Sequence, residues 1–252
     1  MTFALAVAGK GGTGKTSLAS LIIRYLLNKT QGTILAVDAD ANANLGDGLG
    51  LSVGPTIGSI IASFNEAKIS IPPGITKEAY LQIKLNEVVT ESKRLDLITM
   101  GRGEGRACYC YPNTVLRNFV DRLTENYDYV VMDNEAGMEH LSRRTTQNID
   151  NLLLVSDHSV KGVRTLARIR QLVEELKLQV KRQSVVINFV PGQLDDRVAA
   201  ELDRLGLETT ELIPVDDAVK KYDLEQTSLL DLPGDSPAVQ AVARLMSKVL
   251  IY

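Results

Sequence analysis

The chain has no long apolar segment and only two cysteines, and each scarcity narrows what the protein can be. Nowhere in its 252 residues do 18 or more apolar residues follow one another, which excludes a transmembrane helix. The N-terminus enters an apolar stretch and then glycines without a charged region or a cleavage site, so we expect no secretion signal and a cytoplasmic protein. In that reducing compartment, Cys108 and Cys110 favour metal ligation or redox chemistry over a structural disulfide.

The chain also lacks a strong charge of either sign. It carries 28 lysines and arginines against 31 aspartates and glutamates, a formal net charge of -3. This charge argues against sequence-independent binding to the phosphates of nucleic acid. Apolar residues make up 44 % and charged residues 23 %, close to the globular average, so we expect a packed core. Without an internal repeat or a Gly-, Pro- or Ser-rich linker, residues 1–252 are predicted to form a single domain.

Short apolar runs rich in β-formers alternate with helical patterns along the chain. This order predicts an α/β fold of three layers, with a doubly wound, mostly parallel sheet covered by helices. The predicted strands are Phe3–Ala8, Thr33–Asp38, Arg94–Met100, Asp128–Asp133, Asn151–Ser156, Ser184–Val190 and Thr209–Pro214. The predicted helices are Thr16–Asn28, Val115–Glu125, Val160–Lys177, Arg197–Leu205 and Pro237–Leu250. Between Gly46 and Lys93 the pattern is less clear: Ile57–Phe64 looks helical, and Tyr80–Val89 fits a helix or a strand.

The segment Gly9–Thr16 matches the phosphate-loop pattern G-x-x-x-x-G-K-[ST], between a predicted strand and a predicted helix as that motif requires. Its glycines let successive backbone N–H groups point at phosphate oxygens, and the helix N-terminus adds partial positive charge. Lys15 is expected to reach the β- and γ-phosphates of ATP, and the Thr16 hydroxyl to bind Mg²⁺. The predicted nucleotide contacts of the loop are Gly11, Gly12, Thr13, Gly14, Lys15, Thr16 and Ser17.

Two aspartates end strands beside this loop. Asp38 follows Thr-Ile-Leu-Ala-Val and Asp133 follows Tyr-Val-Val-Met, where an open parallel sheet binds its ligands. Either is predicted to hold Mg²⁺, partly through water, because this ion keeps several waters in its shell. The alternative for each is a turn or helix cap.

Lys10 adds a second lysine that a plain phosphate loop does not need. The run Gly-Lys-Gly-Gly-Thr-Gly-Lys-Thr resembles the deviant phosphate loop of the MinD/ParA/nitrogenase-iron-protein class of ATPases. The resemblance implies that Lys10 crosses a homodimer interface to the partner's phosphates, and it assigns catalysis to Lys10, Lys15 and Asp40, with Asp40 positioning the attacking water. It also implies that the backbone N–H of Gly137 senses the γ-phosphate. A solvated surface lysine is the alternative for Lys10.

Two short segments late in the chain match where this class binds adenine. They are Asn188, after the run Val-Val-Ile, and the turn Ile213-Pro214-Val215-Asp216. The resemblance makes Asn188, Pro214, Val215 and Asp216 nucleotide contacts and favours ATP over GTP.

The finer resemblance rests on Met138–Thr145 together with the Cys-x-Cys of Cys108 and Cys110. In these the chain resembles the CooC/AcsF group, accessory ATPases that insert nickel into carbon monoxide dehydrogenase and acetyl-CoA synthase. It implies an ATP-hydrolysing metallochaperone, a homodimer with one of those nickel enzymes as its partner and with no membrane partner.

Two cysteines separated by one residue in an extended segment have Cα atoms about 6.5 Å apart and side chains on the same face, so both sulfurs can reach one metal. A disulfide between them would be strained, since its usual Cα separation is about 5.5–6 Å. Two thiolates leave a four-coordinate site half empty, and a symmetric dimer would supply the other two to Ni²⁺ or Zn²⁺. The alternative is a pair of small buried apolar residues. His140 is a further candidate ligand, a phosphate-sensing contact or a hydrogen-bonded switch residue, and His158 receives no role.

Two other functions compete with nickel insertion. A ParA- or MinD-like positioning ATPase would bind DNA or membrane; Arg143, Arg144, Arg164, Arg168 and Arg170 are the one hint of a DNA face, and Ala238–Tyr252 carries too few basic residues for a membrane tail. An iron–sulfur electron-transfer ATPase, like the nitrogenase iron protein, would need its cysteines in two separate segments, which this chain does not have.

Overall fold

The computed structural model describes residues 2–65, 71–72, 74–102, 118–135 and 148–250. The strands are β1 (Phe3–Gly9), β2 (Ile34–Ala39), β3 (Val89–Thr90), β4 (Leu95–Thr99), β5 (Tyr129–Asn134), β6 (Asn148–Asp157), β7 (Gln179–Val190) and β8 (Thr209–Pro214). The helices are α1 (Lys15–Lys29), α2 (Leu45–Leu49), α3 (Ile57–Asn65), α4 (Lys77–Asn86), α5 (118–124), α6 (Val160–Glu175), α7 (Asp196–Arg204), α8 (Asp217–Leu224) and α9 (Pro237–Val249), with a 3₁₀ turn at Leu229–Asp231.

These eight strands form one sheet in the order β3-β4-β2-β5-β1-β6-β7-β8. Every neighbouring pair is parallel except β3 with β4, where β3 adds a two-residue antiparallel edge. The chain leaves the central strand β1 toward β2 on one side and later returns to β6 on the other. Such a reversal of strand order opens a crevice at the carboxyl ends of the strands, where ligands bind in this architecture.

Helices cover both faces of the sheet. On β1, Leu5 and Val7 pack toward α1 and α9, whereas Ala4, Ala6 and Ala8 face the layer of α3 to α7. This alternation is the two-residue period of a strand buried on both sides. The predicted α/β fold of three layers is therefore confirmed.

The seven predicted strands and five predicted helices are present, with their ends shifted. The largest shift is in β7, which begins at Gln179 instead of Ser184 because its polar first half pairs with β6. For the helix predicted at Val115–Glu125, residues 118–124 are helical and 115–117 lie outside the described residues. The ambiguous Tyr80–Val89 lies in α4 and the start of β3, and α4 begins where the Thr76 hydroxyl accepts a hydrogen bond from the backbone N–H of Ala79.

Candidate functional site

The predicted phosphate loop connects β1 to α1 at the centre of the crevice. Gly12 and Gly14 have φ angles of 79° and 77°, in the left-handed region that glycine adopts without strain. A Cβ atom at Gly14 would overlap the Asn188 amide, and one at Gly9 would overlap the carbonyl oxygen of Val155 on β6. Close packing therefore requires glycine at these two positions.

Side chains brace the loop from within and from β7. The Thr13 hydroxyl donates to the carbonyl oxygen of Lys10 at 2.9 Å, and the amide of Asn188 donates to the carbonyl oxygen of Thr13 at 2.9 Å. Both Thr13 and Asn188 are buried. The loop is thus held in one shape by hydrogen bonds to the protein.

Lys15 lies inside this loop, with only 7 % of its surface exposed. Its ammonium donates to the carbonyl oxygen of Lys10 at 3.2 Å. Burial lowers the pKa of Lys15, and nearby carboxylates, Asp133 foremost, oppose that shift. A buried ammonium with one carbonyl partner is a strong site for an anion, because the charge is poorly solvated.

The N-terminus of α1 has no cap from its own N-cap residue. Gly14 stands at that position without a side chain that could accept a hydrogen bond, and the first turn holds no acidic residue. The N–H groups at the start of a helix need an acceptor and carry partial positive charge. Together with the loop and Lys15, this end of α1 has the geometry of a phosphate-binding site.

Lys10 lies half-buried at the start of the loop. Within the described ranges its ammonium makes neither a hydrogen bond nor an ion pair, unlike that of Lys15. It is therefore free to contact a group outside this chain.

Asp38 and Asp133 lie one residue before the ends of β2 and β5, directly opposite each other in the parallel register, and both are almost completely buried. Asp38 is saturated by its own loop: it accepts from the backbone N–H of Asp40 at 3.1 Å and from that of Leu45 at 2.9 Å. Neither oxygen of Asp133 has a hydrogen-bond partner among the described residues. The two aspartates that look equivalent in the sequence therefore differ, since only Asp133 leaves both oxygens available.

Burial changes the protonation of this pair. It raises the pKa of Asp133 to about 7; the Thr16 hydroxyl and the Lys15 ammonium nearby oppose this shift, and the Asp38 carboxylate strengthens it. Burial likewise raises the pKa of Asp38 to about 6, and the N–H groups of Leu45 and Asp40 oppose this shift. A buried carboxylate without a donor is unfavourable when charged, and a bound cation would remove that penalty.

The loop after β2 is held by Asp40. One oxygen of its carboxylate accepts from the backbone N–H of Asn42 at 2.8 Å, and the other has no partner in the described part of the chain. Arg102, after β4, donates to the Asn42 side chain at 3.4 Å. The free oxygen leaves Asp40 able to accept a hydrogen bond from water.

The predicted adenine contacts come together at the ends of β7 and β8, beside α1, and their polar side chains already make hydrogen bonds within the protein. Asn188 bonds Thr13 through its amide group, and its oxygen accepts from the backbone N–H of Phe189 at 2.9 Å. Asp216 accepts from Ser236 and from the backbone at the starts of α8 and α9. The half-buried Pro214 and Val215 complete this rim.

Several predicted residues lie outside the described ranges: Cys108, Cys110, Gly137, His140 and the arginines Arg143 and Arg144. Among the residues that are described, no group of three or more His, Cys, Asp or Glu is arranged to hold a metal ion. None of the described helices is long and apolar enough to cross a membrane.

His158, given no role from the sequence, accepts a hydrogen bond through Nε2 from the backbone N–H of Asp195 at 2.9 Å. It links the loop after β6 to the start of α7. Sequence reasoning also missed Phe189, which lines the same cleft as the predicted adenine contacts Asn188, Pro214 and Asp216 and has a left-handed backbone. No pattern in the sequence signals either contact, because both depend on how neighbouring strands end.

A parallel sheet with a braced phosphate loop and an uncapped helix N-terminus defines a P-loop nucleotide-binding protein. The family model described as the CobQ/CobB/MinD/ParA nucleotide binding domain matches residues 4–229. An uncharacterized ATP-binding protein of Methanocaldococcus jannaschii is 40 % identical over 98 % of both chains. The carbon monoxide dehydrogenase accessory protein CooC of Rhodospirillum rubrum is 27 % identical over 98 % of this chain and 95 % of its own.

Among solved structures, the septum site-determining protein MinD of Pyrococcus horikoshii, complexed with Mg-ADP, aligns with a TM-score of 0.71 at 19 % identity. The alignment covers 100 % of this chain and 97 % of that one, which shows the shared fold. The chain belongs to the CobQ/CobB/MinD/ParA family, and it is a P-loop ATPase of the MinD/ParA type.

Proposed function

We propose that the protein is an ATP-switched homodimer that hydrolyses ATP and assists nickel insertion into carbon monoxide dehydrogenase or acetyl-CoA synthase. One observation carries the ATP-dependent part: beside the phosphate loop, neither the Lys10 ammonium nor the buried Asp133 carboxylate has a hydrogen-bond partner among the described residues. The nickel part is supported by the 27 % identity to CooC and by the Cys-x-Cys motif.

In this proposal the phosphates of ATP lie on the loop Gly11–Ser17, against its N–H groups and the Lys15 ammonium. Mg²⁺ would be held by the Thr16 hydroxyl and, through water, by Asp133, whose two free oxygens fit a hydrated divalent cation. The ion would supply charge neutralisation. Asp38 acts less directly, because both of its oxygens hold the loop that carries Asp40.

Hydrolysis then depends on positioning and on charge. The free oxygen of Asp40 would orient a water molecule, whose oxygen bonds to the γ-phosphorus as the bond to the β–γ bridging oxygen breaks, giving ADP and phosphate. Lys15 and the partner's Lys10 would stabilise the charge of the transition state. Gly137 would sense the γ-phosphate and report its loss.

Lys10 gives the direct test of the dimer. Lys10→Ala should keep ATP binding, because Lys15 remains, but lose dimerisation with a non-hydrolysable ATP analogue and most ATP turnover. The matched control is Lys29→Ala, which removes the same charge from the exposed far end of α1. Size-exclusion chromatography and a phosphate-release assay measure both effects. A monomeric Lys10→Ala protein that turned over ATP at the native rate would contradict the role in trans.

For the metal we propose that Cys108 and Cys110 of both protomers bind one Ni²⁺ or Zn²⁺ ion across the dimer interface. Four thiolates complete the tetrahedral set that either ion accepts. Metal analysis of the size-exclusion peaks, without nucleotide, with ADP and with the non-hydrolysable analogue, should give one ion per dimer with the analogue. Unchanged metal content after replacing both cysteines with alanine would refute this site without touching the ATPase proposal.

A positioning ATPase that binds DNA is the second candidate, because the family model that matches this chain is described for ParA as well as MinD. Its arginine face has less free charge than the sequence suggests. Arg164 pairs with Glu201 at 2.7 Å, and Arg170 donates to the carbonyl oxygens of Leu205 and Gly206. A salt-dependent gel shift with duplex DNA decides between the two functions.

A further inference from the structure

The end of β7 contains a bulge that changes the direction of two side chains. Ile187 pairs with Leu212 and Val190 pairs with Pro214, so two residues of β7 stand opposite one residue of β8. Successive residues of a regular strand point to opposite faces. Here Asn188 and Phe189 both reach the phosphate loop: a Cβ atom at Gly14 would overlap the amide of Asn188 and lie 2.7 Å from Cζ of Phe189.

Phe189 is held in an unfavourable backbone conformation. Its φ angle is 58°, in the left-handed region where a bulky aromatic residue is a true outlier. Its N–H donates to the Asn188 oxygen, which fixes this conformation. Backbone strain of this kind persists only where the surrounding structure imposes it, often beside bound ligands.

The Phe189 ring lies at the mouth of a narrow cleft. Although most large apolar side chains are buried, 39 % of Phe189 is exposed. The cleft separates the first turns of α1 from the ends of β7 and β8, and it encloses about 40 Å³, room for only a few water molecules. A cleft of this size does not hold a purine, so the exposed ring is the surface that it offers to a base.

Each polar side chain of this rim uses part of its hydrogen-bonding capacity within the protein. The Asn188 amide bonds Thr13 and its oxygen bonds Phe189, while both oxygens of Asp216 accept from the protein. An aromatic ring needs no such capacity, because every base has a π-face.

We infer that Phe189 is the base-stacking residue of the nucleotide site. This inference rests on the proposed ATP binding and deepens it. Since Phe189 is joined through Asn188 to Thr13 of the phosphate loop, base and phosphates are bound by one hydrogen-bonded unit. A ring face reads the presence of a base more than its identity.

The rival position for the base is a larger cavity on the other side of the first turn of α1, with a volume of about 390 Å³ and Tyr222 in its wall. Its wall also carries the carboxylates of Asp47 and Asp223. These disfavour a polyanionic ligand, which argues for the side of Phe189.

The test compares ADP with pyrophosphate, which has no base, by isothermal titration calorimetry on the full-length protein with Mg²⁺. Phe189→Ala should weaken ADP about tenfold or more and leave pyrophosphate unchanged, whereas Phe189→Trp should keep ADP affinity. Leu176→Ala is the matched control: it removes an apolar side chain that is also 39 % exposed, beyond the C-terminal end of α6. Circular dichroism of each variant checks folding.

The other outcomes overturn the inference in distinguishable ways. Equal weakening of ADP and pyrophosphate by Phe189→Ala means that the residue acts only through the loop. Unchanged ADP binding in Phe189→Ala, with a loss in Tyr222→Ala, places the base in the larger cavity. If the wild-type protein binds neither ADP nor pyrophosphate, the proposed ATP binding itself fails.

Discussion

Without nucleotide, the protein should become less stable as the pH rises, and Asp133→Asn should make the free energy of unfolding much less dependent on pH. Burial raises the pKa of Asp133 from 3.8 to about 7. In the unfolded chain this carboxyl loses its proton near its ordinary pKa, whereas in the folded protein it keeps the proton until about pH 7. Unfolding between these values releases a proton, so rising pH favours the unfolded state.

The size of the effect follows from the shift. Each pKa unit corresponds to about 1.4 kcal/mol, so the carboxyl lowers the free energy of unfolding by about 4 kcal/mol once the pH exceeds both values. Between about pH 5 and about pH 8.5 the expected loss from this group is about 2.5 kcal/mol. An asparagine amide does not titrate, so Asp133→Asn should lack this part of the pH dependence even if the amide changes stability equally at every pH.

Urea unfolding of both proteins without nucleotide, at about pH 5 and about pH 8.5, measures the difference. Asp217→Asn removes a carboxylate that is 92 % exposed and should follow the wild type. Parallel pH profiles for wild type and Asp133→Asn would refute the reasoning, because they would mean that Asp133 titrates alike in the folded and unfolded states.

Two further substitutions test the frame of the site. Gly14→Ala should weaken nucleotide binding and lower the free energy of unfolding by more than about 1 kcal/mol, because the new methyl group would overlap the Asn188 amide and the backbone is left-handed. Gly12 is the control: its backbone is also left-handed but a methyl group there meets no other atom, so Gly12→Ala should cost only the backbone strain. Asp216→Ala should lower the free energy of unfolding by about 1–3 kcal/mol, because it leaves the Ser236 hydroxyl and the backbone N–H of Ala238 without their acceptor. Asp217→Ala, at the neighbouring exposed position, should lower it much less. Thermal unfolding of each variant beside its control measures both differences.

The elements that the sequence predicts well are those with a strong local signal. Short apolar runs predicted the parallel strands, and the loop motif located the phosphate site. The missed β3 is two residues long and exists only through its pairing with β4. The missed α2 spans five residues around glycines and begins where Asp38 accepts from the N–H of Leu45, a contact from another element. Such short elements have no periodicity to detect.

The site shows the same limit at the level of single side chains. The sequence treats Asp38 and Asp133 alike, and only the structure separates a carboxylate used by its own loop from one without partners. It likewise points to Asn188 but not to Phe189, since the bulge that turns both toward Gly14 is set by pairing with β8. Spacing along the chain predicts which residue types gather at the strand ends, and long-range pairing decides their roles.

The two halves of the nucleotide site differ in how deeply they are anchored. The phosphate loop extends from β1, a central strand paired on both sides and buried from Ala4 to Gly9. The turn Pro214–Asp216, at the proposed base position, leads into α8. This helix has no buried residue, and its last residue, Leu224, is 85 % exposed. Amide hydrogens in α8 should therefore exchange through small local openings, and those of β1 only when the whole sheet unfolds. A nucleotide that bridges both would join a weakly protected helix to a strongly protected strand.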